Sequence, residues 1–188
     1  MFDFQTMFNG SMAVLQRPSV ATFEEHEKND LMAATIYIAI GGLIAGVFGA
    51  IGGAIRGTSV GSALIGNAVG AVIGFYIYLG IVYLLGRAFG GTGNFGELAY
   101  DISLFSAPIT VVASVASLVP VVGGIVGLAL FIYEIYLTYL GIQSGMNLPK
   151  DKAIIVMVII FLIGVAIFAC FALVIGAFIA AMMNGANQ

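Results

Sequence analysis

The 188-residue chain is 61% hydrophobic and 8% charged, with a mean hydropathy of +1.13. A water-soluble domain carries about 25% charged residues, so polar groups cannot cover this surface and the chain reads as an integral membrane protein. The net charge of −3 with scattered lysines and arginines excludes the basic patch that nucleic acid needs. The lone Cys170, inside an apolar run, excludes a disulfide framework and a redox pair.

The start MFDFQTMFNGSM lacks the basic, apolar and small-residue regions of a signal peptide, so the N terminus is expected to be kept. Residues 1–30 read as a cytoplasmic segment. Phe2, Phe4, Met7, Phe8, Met12, Val14 and Leu15 predict a helix lying in the membrane interface, a mobile tail being the alternative, and Pro18 ends it. Glu24, Glu25, Glu27 and Asp30 follow as a solvated acidic cluster.

A hydrocarbon core about 30 Å thick takes roughly 20 apolar residues as a helix. Five runs meet that length, predicting an all-α domain over 31–183 with spans at about 31–55, 60–85, 98–119, 121–143 and 153–183, and a tail at 184–188. Spans one and two are joined by the tight turn Arg56-Gly57-Thr58-Ser59 and form an antiparallel hairpin. Pro108 interrupts the third span, where a kink is expected. Pro120 leaves almost no loop before the fourth. The fifth run would be about 46 Å long at ~1.5 Å per residue, so it must tilt, kink or protrude.

Five of the six cations (Arg17, Lys28, Arg87, Lys150 and Lys152) fall on one side and only Arg56 on the other. Loops rich in Lys and Arg stay inside, which predicts a cytoplasmic N terminus and an external C terminus.

Small residues recur every four positions. Gly42, Gly46, Ala50 and Ala54 line one stripe of the first span, and Ser62, Gly66, Gly70 and Gly74 one of the second. Helices in lipid associate by close backbone packing, so these stripes are expected to close the hairpin. A further stripe of Ala45, Gly49, Gly53 and Gly57 is left for another helix or another copy.

Glu134 is the one charged residue in the middle of a run, where it costs a few kcal/mol. Thr138 stands one turn beyond on the same face. Hydroxyls at Ser106, Thr110, Ser114, Tyr133 and Tyr136 are available, whereas no lysine, arginine or histidine lies at that depth. Three roles stay open: a structural hydrogen bond from the protonated acid, pairing with a neighbouring subunit, or proton or cation coupling. Coupling would ordinarily bring a chain of polar residues across the membrane, and none is evident.

No catalytic set emerges. The single histidine, His26, sits in the charged segment, too far from any intramembrane serine to activate it. The run Glu24-Glu25-His26-Glu27 points in several directions on a helix, so no metal site is expected, and GGTGNFG follows a span rather than a strand, so no phosphate cradle or other cofactor site is expected either.

Three stretches then carry a resemblance: RPSVATFEE before the first span, GGTGNFGELAYDISLFSAPITVVASVASLVPVVGG through Pro108 and Pro120, and YEIYLTYLGIQSGMNLPKDKA ahead of the last span. In this order the chain resembles the Yip1 domain family of five-span membrane proteins, chiefly its prokaryotic members. The resemblance implies the five-helix fold and, for eukaryotic members, membrane traffic and contact with Rab-type small GTPases. This chain lacks their long hydrophilic tail and Asp-Leu-Tyr-Gly-Pro motif, so a small GTPase is not carried over as a partner. The expected home is a prokaryotic cytoplasmic membrane. Two functions follow as expectations: a non-enzymatic scaffold or accessory subunit whose partners are lipids and other integral membrane proteins or its own copies, and a small proton- or ion-coupled transporter or channel using Glu134.

Overall fold

A computed structural model describes residues 2–55 and 60–185, with side-chain surroundings at 2–54 and 66–176. The expected turn at Arg56-Gly57-Thr58-Ser59, the Ser62 side chain and the last three tail residues lie outside the described residues. Among the described residues seven helices follow one another: α1 Phe4–Gln16, α2 Val20–His26, α3 Leu31–Ile55, α4 Val60–Ala88, α5 Phe95–Ala116, α6 Pro120–Gly145 and α7 Lys150–Gly185. The last five are long and apolar enough to cross a membrane. Their ends alternate, so that the starts of α3, α5 and α7 and the ends of α4 and α6 gather with the N-terminal segment at one end of the bundle, here the proximal end.

Asp3 starts α1 by accepting from the Gln5 and Thr6 amides, which satisfies two of the orphan donors of the first turn. Met7, Gly10, Ser11 and Val14 then share the face that turns onto the bundle. Phe4, Phe8 and Met12, four residues apart, are exposed on another face, as an interfacial helix requires. The Ser11 hydroxyl, 2.8 Å from the Tyr37 hydroxyl, fixes α1 to α3, and Tyr133 of α6 donates to the Leu15 carbonyl at 2.6 Å.

The residues after Pro18 are not merely solvated. Ser19 caps the seven-residue helix α2 through the Thr22 amide. Phe23 is fully buried, edge-on to Phe105 with ring centroids 6.1 Å apart. The acidic cluster therefore begins on a docked helix, and Glu27 is half-buried rather than washed by solvent.

Every residue from Leu98 to Phe105 is buried, which makes α5 the central helix, since only a helix enclosed on all sides buries its whole circumference. α3 and α6 pack on it, α4 packs on α3, and α7 leans on α4 and α6. Burial falls outward accordingly, from 56% of the most apolar stretch of α5 to 6% of that of α7. In α7, Ala153 and Val156 are buried, while positions 164–176 are exposed all round. Its 36 residues extend about 54 Å.

Helix ends differ from the apolar runs because caps, not hydropathy, set them. α5 starts at Phe95 through a capping box in which Glu97 accepts from the Asn94 amide at 3.0 Å. α4 runs on to Ala88, where the Arg87 guanidinium donates to the Gly91 carbonyl at 3.2 Å. α5 continues through Pro108 to Ala116, and Pro120 takes the first position of α6, where its missing N–H costs nothing.

The glycine stripes need correcting. Gly42 does meet α4, where a Cβ would come within 2.8 Å of Ala71 and 3.1 Å of Ala68. Gly66, Gly70 and Gly74, however, have nothing within 4 Å of where a Cβ would stand. The hairpin closes through the neighbouring Asn67, Ala68 and Ala71 face, and the stripe of Gly66, Gly70 and Gly74 lines a cavity. Gly46 is buried, and Gly49 and Gly53 are half-buried, a Cβ on Gly49 lying 3.3 Å from Asn67 Nδ2. Gly41, one turn before Ala45 and in register with its stripe, is where α3 crosses α5, a Cβ there coming within 3.1 Å of Ala107.

Candidate functional site

Glu134 and Thr138 stand one turn apart on α6 and project from the same face. Each bonds to a different helix. The Ser106 hydroxyl of α5 donates to Glu134 Oε1 at 3.3 Å, and the Tyr78 hydroxyl of α4 donates to Thr138 Oγ1 at 3.3 Å. Thr138 is buried and Glu134 partly so.

Two cavities meet at this point. The smaller, of about 400 Å³, runs between α3, α4 and α5 past Gly66, Gly70, Asn67, Ser106 and Thr110 to Glu134. The larger, of about 780 Å³, is an apolar groove between α4, α6 and α7, walled by Phe131, Phe161 and Phe168. Glu134 and Tyr78 belong to both walls. The chain of polar residues that the sequence conceals is therefore present in space: Asn67, Thr110, Ser106, Glu134, Tyr78 and Thr138 come from three spans. Among the described lining residues of both cavities there is no lysine, arginine or histidine.

A second acid was missed. Asp101 sits near the start of the third span, where it reads as an edge residue, yet it is 0% exposed. Ser144 and the Gly145 amide of α6 approach its oxygens, but neither oxygen completes a hydrogen bond. The only sequence signal was its register, seven residues past the Asn94 cap and thus inside the helix rather than before it.

The connections at the proximal end are stitched together. The amides of Thr92 and Gly93 both donate to the Met146 carbonyl, at 2.9 and 3.3 Å, Gly90 turns at φ +89°, and Gly93 lies against the Gly145 carbonyl so closely that a Cβ there would overlap it. His26 Nδ1 faces the Thr22 carbonyl at 2.9 Å, which ties it to its own helix. Among the described residues no group of three or more His, Cys, Asp or Glu is arranged to hold a metal ion.

A family model of the Yip1 domain matches residues 12–173. No curated protein and no solved structure matches the chain.

Proposed function

We propose that this chain, which belongs to the Yip1 domain family, is a non-enzymatic membrane scaffold or accessory subunit that holds other integral membrane proteins, or further copies of itself, along α6 and α7. One observation carries this reading: the described residues in the outer half of α7 are exposed all round, Phe168, Phe171, Leu173 and Val174 being 66–77% exposed. Lipid alone would satisfy those side chains. A helix that outruns the bilayer and lacks packing in its own bundle is better used by a neighbour, because helix association in lipid rests on close contact. The inside placement of the N terminus belongs to the same reading and rests on the cation count of the loops, and the prokaryotic cytoplasmic membrane rests on the resemblance to prokaryotic family members. Extraction in mild detergent followed by native mass spectrometry tests it. Other polypeptides or extra copies at fixed stoichiometry are expected, and a lone monomer in every preparation would overturn it.

A specific observation favours a second reading. Glu134 belongs to the walls of two cavities on different sides of α4, so a carboxyl there can take a proton or cation from one and release it to the other. In sealed vesicles, Glu134→Gln should then abolish proton or ion flux. Unchanged flux in that variant would remove the coupled-transport reading.

A further inference from the structure

Four aromatic rings from three helices surround one acid. The groove of about 780 Å³ between α4, α6 and α7 is lined by Tyr78, Phe131, Phe161 and Phe168, and Glu134 is the one charged residue among its described lining. Phe131, Phe161 and Phe168 are each at least half exposed, so the bundle itself leaves these rings uncovered. Gly164, in the same wall, has nothing within 4 Å of where a Cβ would stand, which keeps the space beside it clear. The volume falls in the range of roughly 300–1,000 Å³ that sites for small organic molecules occupy.

The charge of the lining selects among occupants. A phospholipid phosphate or a fatty acid brings a negative charge, and the described lining of both cavities offers no lysine, arginine or histidine to meet it. A small inorganic cation would exchange its hydration shell for the polar side chains of Tyr78, Glu134 and Thr138, two of which already bond to each other. Hard cations take roughly six or more oxygens, and a desolvated ion with so few partners is costly. An uncharged amphiphile gives an ionised carboxyl nothing to pair with. An organic cation clothed in hydrocarbon meets every feature at once. It has little hydration to lose and apolar surface to bury, its charge answers Glu134, and the faces of aromatic rings attract it.

We propose that this groove binds lipophilic organic cations, with Glu134 of α6 as the counter-ion and the rings of Tyr78, Phe131, Phe161 and Phe168 as its walls. The proposal rests on the second reading, in which the Glu134 carboxyl takes up a proton or cation, and it names the class of cation taken. Ser106 of α5 donates to Oε1 at 3.3 Å, which ties the carboxyl at the boundary of the two cavities and leaves it facing the groove as well. Binding of this kind is non-covalent and requires no movement of ions across the membrane, so it is measurable apart from transport.

The test is equilibrium dialysis of tetraphenylphosphonium against the full chain in lipid nanodiscs, with empty nanodiscs as the blank for partition into lipid. Alkaline buffer is used, since protons compete least for the carboxyl there. One saturable site per chain is expected. Glu134→Gln should weaken it about thirtyfold or more, as loss of one partner of a buried charge pair does. Gly164→Leu, placed where a Cβ meets open space, should block the groove and leave the fold intact. Triphenylphosphine oxide, which has similar rings and no charge, should displace the cation poorly. Uptake no greater than that of empty nanodiscs overturns the proposal even if a variant fails to fold. So does binding equal to the parent's in Glu134→Gln or in a folded Gly164→Leu, or equal displacement by the neutral compound, which would reduce the groove to an apolar surface. The two readings fail separately. Proton flux that depends on Glu134 without phosphonium binding overturns this proposal and keeps coupled transport, whereas binding without any flux supports this proposal and removes coupled transport.

Discussion

A methyl group at Gly93 has nowhere to go, because the Gly145 carbonyl occupies its place. Gly93→Ala should force apart the two loops joined through Met146 and cost about 2 kcal/mol, as overpacking of a rigid contact does. Gly70→Ala is the contrasting case: it meets open space in the middle of a helix and should be neutral or stabilising by up to ~1 kcal/mol. Thermal unfolding in detergent distinguishes the two. The contrast also marks what could be read in the sequence. Glu134 and Thr138 were legible because an acid in mid-span has no other setting. Gly66, Gly70 and Gly74 were legible as a stripe, but periodicity says which residues share a face and not what that face meets. Asp101 was hidden because its burial comes from α6 packing over it at Gly141 and Gly145, which are not near it in sequence.

Helices α1 and α2 illustrate how short elements are held. Asp3 accepts from the first turn of α1, and those hydrogen bonds, chiefly that from Thr6, hold its carboxyl below the usual carboxylate range. A lowered value contributes stability above the unfolded range that is lost as pH falls through the folded value. Acid should therefore fray the start of α1; hydrogen exchange corrected for intrinsic rates would show it, and Asp3→Ala should abolish the trend. Removing the Phe23 ring, which is fully buried against Phe105, should cost about 3 kcal/mol. Limited proteolysis within 17–30 is the measurement, with Phe23→Ala cut faster than the parent and the spans left intact. The five spans were readable from hydropathy alone, whereas α2 was not, because its signals are one cap at Ser19 and one aromatic. The helix ends moved for the same kind of reason, since the Asn94–Glu97 box and Arg87 act outside the apolar runs.

On the scale of the whole molecule the bundle is graded, densest at α5 and thinnest at α7. A chain ending after Gly164 keeps Ala153, Val156, Met157 and Ile160, the α7 residues that pack on the core. It should therefore fold with nearly the parent's melting behaviour and lose the extra polypeptides or copies that the scaffold reading requires. Equal recovery of partners with and without the outer half of α7 would move the docking surface elsewhere.

The link between α5 and α6 is three residues, 117–119, and it is packed so closely that a Cβ on Gly123 would come within 2.8 Å of Ser117. Of the five spans, α5 is the least apolar, and it carries both Glu97 and Asp101. Acids inside the apolar stretch lower its gain on entering lipid, so this segment is a poor candidate to leave the translocation machinery by itself. Tethered so tightly to α6, it cannot be released alone in any case. During biogenesis the two must partition into lipid as one hairpin, with the later-synthesised helix carrying in the earlier one, and the molecule's central helix thus owes its place in the membrane to its neighbour.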